Sequence, residues 1–245
     1  ILSLAFGSDI FDRFLTGAAE ADKNAKNADI KKNAALLDAL IGVYERNVLG
    51  YPSTAVLPYS QGLSRFPAHL QQLDMESNGK SVNRFGDIVN YETGPVVFGE
   101  AGTNGQHSFY QLLHQGTDII PLQFIGFKKS QMGSDVEVQG STSQQKLCAN
   151  VVAQIMAFAC GKDDSNKNKK FEGGRPSSII IGEQLTPESI GALLAHFENK
   201  VMFQGFIWNL NSFDQEGVQL GKVLAKKVLL HETDGALRAY SELLN

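Results

Sequence analysis

The chain is short of cysteine: Cys148 and Cys160 are its only two in 245 residues. That excludes a disulfide framework. Both fall in an apolar, helix-like run, which predicts buried, reduced thiols and a cytoplasmic setting. Cys/His spacings of the zinc-site type are lacking, so no metal is expected. A basic excess is lacking too. Lys and Arg number 22 against 26 Asp and Glu, a net charge of −4, which removes the electrostatic ground for a nucleic-acid partner. The one basic run, Lys162 to Lys170, is interrupted by Asp163 and Asp164 and reads as a solvated loop. No apolar run is long enough to span a membrane. An initiator Met is lacking. The opening Ile1-Leu2-Ser3-Leu4-Ala5-Phe6 is apolar without a basic flank, which is poor for a signal peptide. It reads as a processed start or as an inner portion of a longer polypeptide.

Hydrophobic residues at 42% and charged residues at 20% are what a soluble globular protein with a real core contains. The length suits one large or two small domains. Apolar periodicity predicts helices over 9–21, 33–49, 61–75, 103–115, 141–160, 187–200, 218–230 and 236–244, with Pro67 arguing for a break or a late start in the third. Short apolar runs at 53–58, 94–98, 119–127 and 177–182 read as buried strands. Residues 23–32 and 162–174 read as connections, and 201–209 as helix or strand. Thr186 and Pro187 suit the N-cap and first turn of a helix. Strands alternating with helices, without polar alternation in the strands, predict an α/β fold: a three-layer sandwich whose mostly parallel sheet is flanked by helices. Such sheets bind ligands at the carboxyl ends of their strands.

Three polar helix junctions carry the chemistry. Gly99-Glu100-Ala101-Gly102-Thr103-Asn104-Gly105-Gln106-His107 follows an apolar strand and opens a helix, where backbone N–H groups and the helix dipole point outward. His107 stands in that opening, with a ring that titrates near neutrality. Gln72 and the block Asp74-Met75-Glu76-Ser77-Asn78-Gly79-Lys80 end an amphipathic run. The third junction, 209–222, contains Asn211-Ser212-Phe213-Asp214-Gln215-Glu216-Gly217-Val218 and runs on to Gly221-Lys222. Together the three are expected to converge on one pocket.

These blocks resemble the glucose-6-phosphate isomerase family, as do Phe109-Tyr110-Gln111-Leu112-Leu113-His114-Gln115-Gly116-Thr117, Leu57-Pro58-Tyr59 and Leu185-Thr186-Pro187. The likeness runs from the first helix to Leu230. It implies two sugar-isomerase (SIS) domains in the full enzyme, of which this chain resembles the second. Residues 1–22 are then a helical lead-in from a missing N-terminal SIS domain and 23–245 the C-terminal one. The serine/threonine loop that holds the sugar phosphate, and a Gly-Gly-Arg motif just upstream of Ile1, belong to the missing part.

The resemblance further implies the glycolytic and gluconeogenic interconversion of glucose 6-phosphate and fructose 6-phosphate through an enediol, with neither metal nor nucleotide cofactor. Glu76 matches the base, and a pocket that partly desolvates a carboxylate makes it a better one. His107 and Lys222 match the ring-opening pair. The histidine is expected to come from the neighbouring subunit of a homodimer. Gln72 and Gln215 match positions that hydrogen-bond substrate hydroxyls, a role suited to neutral amides, which donate and accept without adding charge. Ala101 stands where the family has proline, Glu216 where tryptophan is frequent, and Gln219 where glutamate is usual; none removes a catalytic group. Without the resemblance, Glu76 would read as a surface carboxylate beside a turn, His107 as a helix-start histidine and Lys222 as a solvent-facing lysine. A sugar-phosphate sensor is the competing reading, and the joint presence of a base and a ring-opening pair argues against it. An extracellular signalling role is neither supported nor excluded. Alone, the chain is expected to be inactive.

Overall fold

The computed structural model describes residues 1–244. Two helices come first, α1 (Leu2–Phe6) and α2 (Ser8–Ala25), separated by Gly7 at φ +88°. α3 (Ala34–Asn47) is capped by Asn33, whose side chain accepts from the Leu36 N–H, and leads to β1 (Ser53–Pro58). α4 (Phe66–Leu70) continues directly into a π-helical turn, Gln71–Glu76. β2 (Val96–Gly99) precedes two short helices, α5 (Gly102–Gly105) and α6 (Tyr110–Gln115), and β3 (Leu122–Phe127). A small ribbon, β4 (Glu137–Val138) with β5 (Ser141–Thr142), leads into α7 (Ser143–Cys160), which a Thr142/Gln145 capping box starts. β6 (Ser177–Gly182), α8 (Pro187–Ile207), α9 (Gln219–Leu229) and α10 (Gly235–Glu242) follow.

The sheet order is β2-β1-β3-β6, with every neighbour parallel. Alternate residues face opposite layers. Ala55, Leu57, Leu122 and Phe124 join Tyr110, Leu113, Val151 and Phe158 of α6 and α7. Val56, Val97, Ile125 and Phe127 join Phe66, Leu70, Leu193 and Phe197 of α4 and α8. The result is the expected three-layer α/β sandwich. A fully buried ring such as Phe124 or Phe158 contributes about 1.5–3 kcal/mol by its removal from water.

Outside α8, α2 packs backbone to backbone. A Cβ at Gly17 would lie 1.9 Å from the Glu188 carbonyl oxygen, and one at Gly191 would lie 2.0 Å from that of Phe14. Only glycine at both positions permits this approach.

Several expectations are corrected. The helix over 61–75 is three pieces, a 3₁₀ turn at 61–63, α4 and the π turn, with Pro67 in the first turn of α4. The helix over 103–115 is broken at 106–109. Phe109 meets Phe98 edge-on at 5.2 Å, while Tyr110 enters the core. Neighbours on a helix point about 100° apart, so anchoring both rings interrupts it. Segment 201–209 is helix rather than strand: 201–207 form the end of α8, and Trp208 and Asn209 turn out of it. β6 is not a buried strand: it is the sheet's edge, and Ile181 is 59% exposed. The thiols are free but not buried. Cys148 is half-buried, its Sγ 3.3 Å from the Phe127 carbonyl oxygen, and Cys160 is exposed where α7 leaves the sheet.

Candidate active site

The π turn and the loop after α8 form the walls of an open cleft of about 560 Å³. Gln72, Met75, Glu76 and Lys80 line one wall, and Asn211, Asp214, Gln215 and Gly217 line the other. A π turn inserts one residue into the helical ladder, a distortion found frequently at functional sites. Here it turns Asp74 into the protein and leaves Gln72 and Glu76 along the cleft, Gln72 exposed and Glu76 half-buried.

Two residues of the 74–80 block tie the walls together. Asn78 is fully buried; its Nδ2 donates to the Val201 carbonyl at 2.9 Å, and its Oδ1 accepts from the Ser212 hydroxyl at 2.6 Å. Gly205 gives Ser212 room, since a Cβ there would lie 2.1 Å from the Ser212 Oγ. The Lys80 ammonium donates to the carbonyls of Glu76 and Ser77 and pairs with Asp214 Oδ1 at 3.3 Å across the cleft. The sequence motifs include Asn78, Lys80, Ser212 and Asp214 but give them no role. Their one signal is membership of the two polar blocks.

The glycine loop is built differently. A Cβ at Gly102 would strike the Tyr59 ring at 2.3 Å, and one at Gly99 would lie 1.9 Å from the Val56 carbonyl oxygen. Gln106 Nε2 donates to Asn150 Oδ1 and reaches the Tyr59 hydroxyl at 3.4 Å. His107 follows in the turn between α5 and α6, its N–H on the Asn104 carbonyl and its side chain exposed. It does not line the cleft. Nor does Lys222, which is exposed in the first turn of α9. Within this chain, then, two polar junctions meet rather than three. Gln72, Glu76 and Gln215 come together; His107 and Lys222 do not join them.

Behind the π turn lies a buried polar cluster. Asp38 accepts from Gln123 Nε2 at 2.8 Å and pairs with Lys200 Nζ and His196 Nε2, each at 3.0 Å. Burial alone would raise the Asp38 carboxyl; the Lys200 ammonium and His196 outweigh it and hold that group well below the usual carboxylate range. Two further carboxyls share the neighbourhood. Burial pushes Asp74 up to about 6 and Glu45 up to about 7, with Lys200 pulling both down and Asp38 pushing both up.

Among the described residues, no group of three or more His, Cys, Asp or Glu side chains is placed to hold a metal ion. No helix among them is long and apolar enough to cross a membrane.

The family model described as Phosphoglucose isomerase matches residues 1–241. A glucose-6-phosphate isomerase of Treponema denticola is 73% identical over 244 residues, covering 100% of this chain and 46% of the relative. One of Borreliella burgdorferi is 53% identical over 244 residues, covering 99% of this chain and 46% of the relative. The crystal structure of a glucose-6-phosphate isomerase from Chlamydia trachomatis superposes with a TM-score of 0.94 at 52% identity, over 100% of this chain and 47% of that one. The chain thus spans about half the length of the curated relatives it matches. On these grounds the chain belongs to the phosphoglucose isomerase family.

Proposed function

We propose that this chain supplies the carboxylate wall of an aldose–ketose isomerase site that interconverts glucose 6-phosphate and fructose 6-phosphate. Glu76 removes the proton beside the substrate carbonyl, an enediol forms, and the same carboxyl returns the proton to the neighbouring carbon. One carboxylate within hydrogen-bonding reach of both carbons serves both transfers. Gln72 and Gln215 hydrogen-bond the sugar hydroxyls. His107 and Lys222, neither of which lines the cleft within this chain, open the ring, His107 in the cleft of a second subunit of a homodimer. The phosphate site lies in the half of the relatives' length that this chain does not span, preceding the helical lead-in of residues 1–22. The chemistry needs neither metal nor nucleotide. A cytoplasmic location goes with it, where free thiols such as Cys148 and Cys160 persist.

One observation carries this reading: Gln72 and Glu76 of the π turn and the distant Gln215 line one sugar-sized cleft that Lys80 and Asp214 bridge. The exposure of His107 away from that cleft supports its assignment to a neighbouring subunit.

The test is Glu76→Gln in the full-length protein. Turnover of fructose 6-phosphate is expected to fall roughly 10²- to 10⁴-fold, the range for loss of a positioned general base. Transfer of solvent deuterium to the product's C2 is expected to fall with it. Undiminished turnover sinks the proposal. This chain alone, without the phosphate site that orients the reacting carbons, is expected to be inactive.

A further inference from the structure

Asp74 shares the π turn with Gln72 and Glu76 but faces away from the cleft. Its residue is 7% exposed, and its Oδ1 has no hydrogen-bond partner among the described residues. Gln204 of α8 is 1% exposed, and its Oε1 is also unpartnered. Both residues, with Lys200, Gln123, Glu45 and Thr54, line a small cavity of about 30 Å³ whose remaining walls are mostly apolar, Val97 and Phe197 among them. Two orphaned acceptors against one small cavity call for a donor, because buried polar groups are almost always bonded. The Lys200 ammonium has three N–H donors; two go to Asp38 Oδ1 at 3.0 Å and Gln123 Oε1 at 3.3 Å. The third has no hydrogen-bond acceptor among the described residues, though the ammonium also lies 5.4 Å from the centroid of the Phe197 ring.

We propose that this cavity is a binding site for one structural water, and that the water makes Asp74 a positioning residue for Glu76. The water donates its two hydrogens to Asp74 Oδ1 and Gln204 Oε1 and accepts the third Lys200 N–H. The volume matches a single molecule, and three partners are what a buried water typically has. Asp74 titrates near 6 through burial, so near neutrality it is mostly an ionised acceptor that needs such a donor. The chain of contacts then runs from Glu76 through the π turn to Asp74, the water, Gln204 and Lys200, and so to Asp38 and His196 of α3 and α8. It fixes the rotation of the π turn, and with it the aim of the Glu76 carboxyl. Gly42 serves the same arrangement, since a Cβ there would lie 2.5 Å from Gln204 Nε2.

A high-resolution crystal structure of the full-length protein tests the site. A water is expected within about 2.5–3.2 Å of Asp74 Oδ1, Gln204 Oε1 and Lys200 Nζ. An empty cavity, with the Gln204 amide turned to donate directly to Asp74, overturns it. Kinetics test the positioning. For Asp74→Asn and Gln204→Met, kcat is expected to fall roughly 10- to 100-fold, as small misplacements of reacting groups do. KM should stay nearly constant, and the acid limb of the kcat–pH profile should move. Parent-like kcat and pH profile in both variants overturn the positioning role. That role rests on Glu76 being the base, whereas the water does not. If Glu76→Gln leaves turnover intact, the catalytic reading fails and the density in the cavity still decides the site.

Discussion

The pH dependence of stability is the sharpest consequence of crowding three carboxyls around Lys200. Asp74→Asn isolates one of them while keeping its shape. Burial raises the Asp74 carboxyl from 3.8 to about 6 in the folded protein. A raised carboxyl favours the folded state fully below its unfolded value. That advantage is lost as pH climbs through the folded value, so Asp74 erodes stability between about pH 4 and pH 6. A tenfold change in proton affinity is worth about 1.4 kcal/mol, which bounds the loss at about 3 kcal/mol. Coupling to Lys200, Asp38 and Glu45 divides it among the group, and about 1.5 kcal/mol is the expected share. Asparagine does not titrate. Relative to the parent, Asp74→Asn should therefore gain about 1.5 kcal/mol on going from pH 4 to pH 7.5, read by urea unfolding of the full-length protein at both. Parallel pH profiles for parent and variant would refute the idea that Asp74 is a desolvated carboxylate. A stabilised variant that has also lost kcat would be an exchange of activity for stability at a strained site.

Asp38→Asn should do the opposite, because it leaves Lys200 and His196 without their anion; a loss of about 3–5 kcal/mol is expected at pH 7. The Asp38 carboxyl is held low, so its contribution is present above the ordinary carboxylate range and disappears as pH falls below it. Urea midpoints of parent and variant should approach each other in acid. Gly17→Ala places a Cβ 1.9 Å from a carbonyl oxygen of α8 and is expected to destabilise by about 1–3 kcal/mol or more, seen as a lower melting temperature. An unchanged melting temperature would mean that α2 does not sit where described. Ala101 has φ −53°, within proline's range, and its N–H donates to Glu100 Oε1 at 3.1 Å. Ala101→Pro gains about 0.4–1 kcal/mol from the unfolded chain and forfeits a bond of about 0.5–1.5 kcal/mol. The net should stay within about 1 kcal/mol by chemical denaturation, and a loss above about 2 kcal/mol contradicts the φ argument.

Where local chemistry decides, the sequence was readable. β1 spans the predicted 53–58, and α8 begins at Thr186-Pro187, because a cap and a fixed φ act within a few residues. The α/β layering was legible because short apolar strands alternate with periodic helices. The cleft residues Gln72, Glu76 and Gln215 were legible through the family resemblance of their blocks; residue chemistry alone would leave Glu76 a surface carboxylate beside a turn. What was not legible depends on distant partners. The π turn places Asp74 on the cavity that Lys200 also lines, more than a hundred residues away in sequence. The exposure of Ile179 and Ile181 follows from β6 having no neighbour on one side, a property of strand order and not of three consecutive isoleucines. The separation of His107 and Lys222 from the cleft is likewise set by where α6 and α9 travel. Lys80 was in view as part of a motif, but its reach to Asp214 depends on how two loops meet.

The glycine crossing of α2 and α8 has one more consequence. Where side chains interdigitate, neighbours can re-choose rotamers and absorb a small slip. Bare main chain against main chain offers no such slack. Advancing α2 by one residue would drive Ala18 into the Glu188 carbonyl, so the contact behaves as a detent that accepts a single axial setting. The axial setting of α2 is thereby tied to that of α8, the helix that carries Lys200 and Gln204.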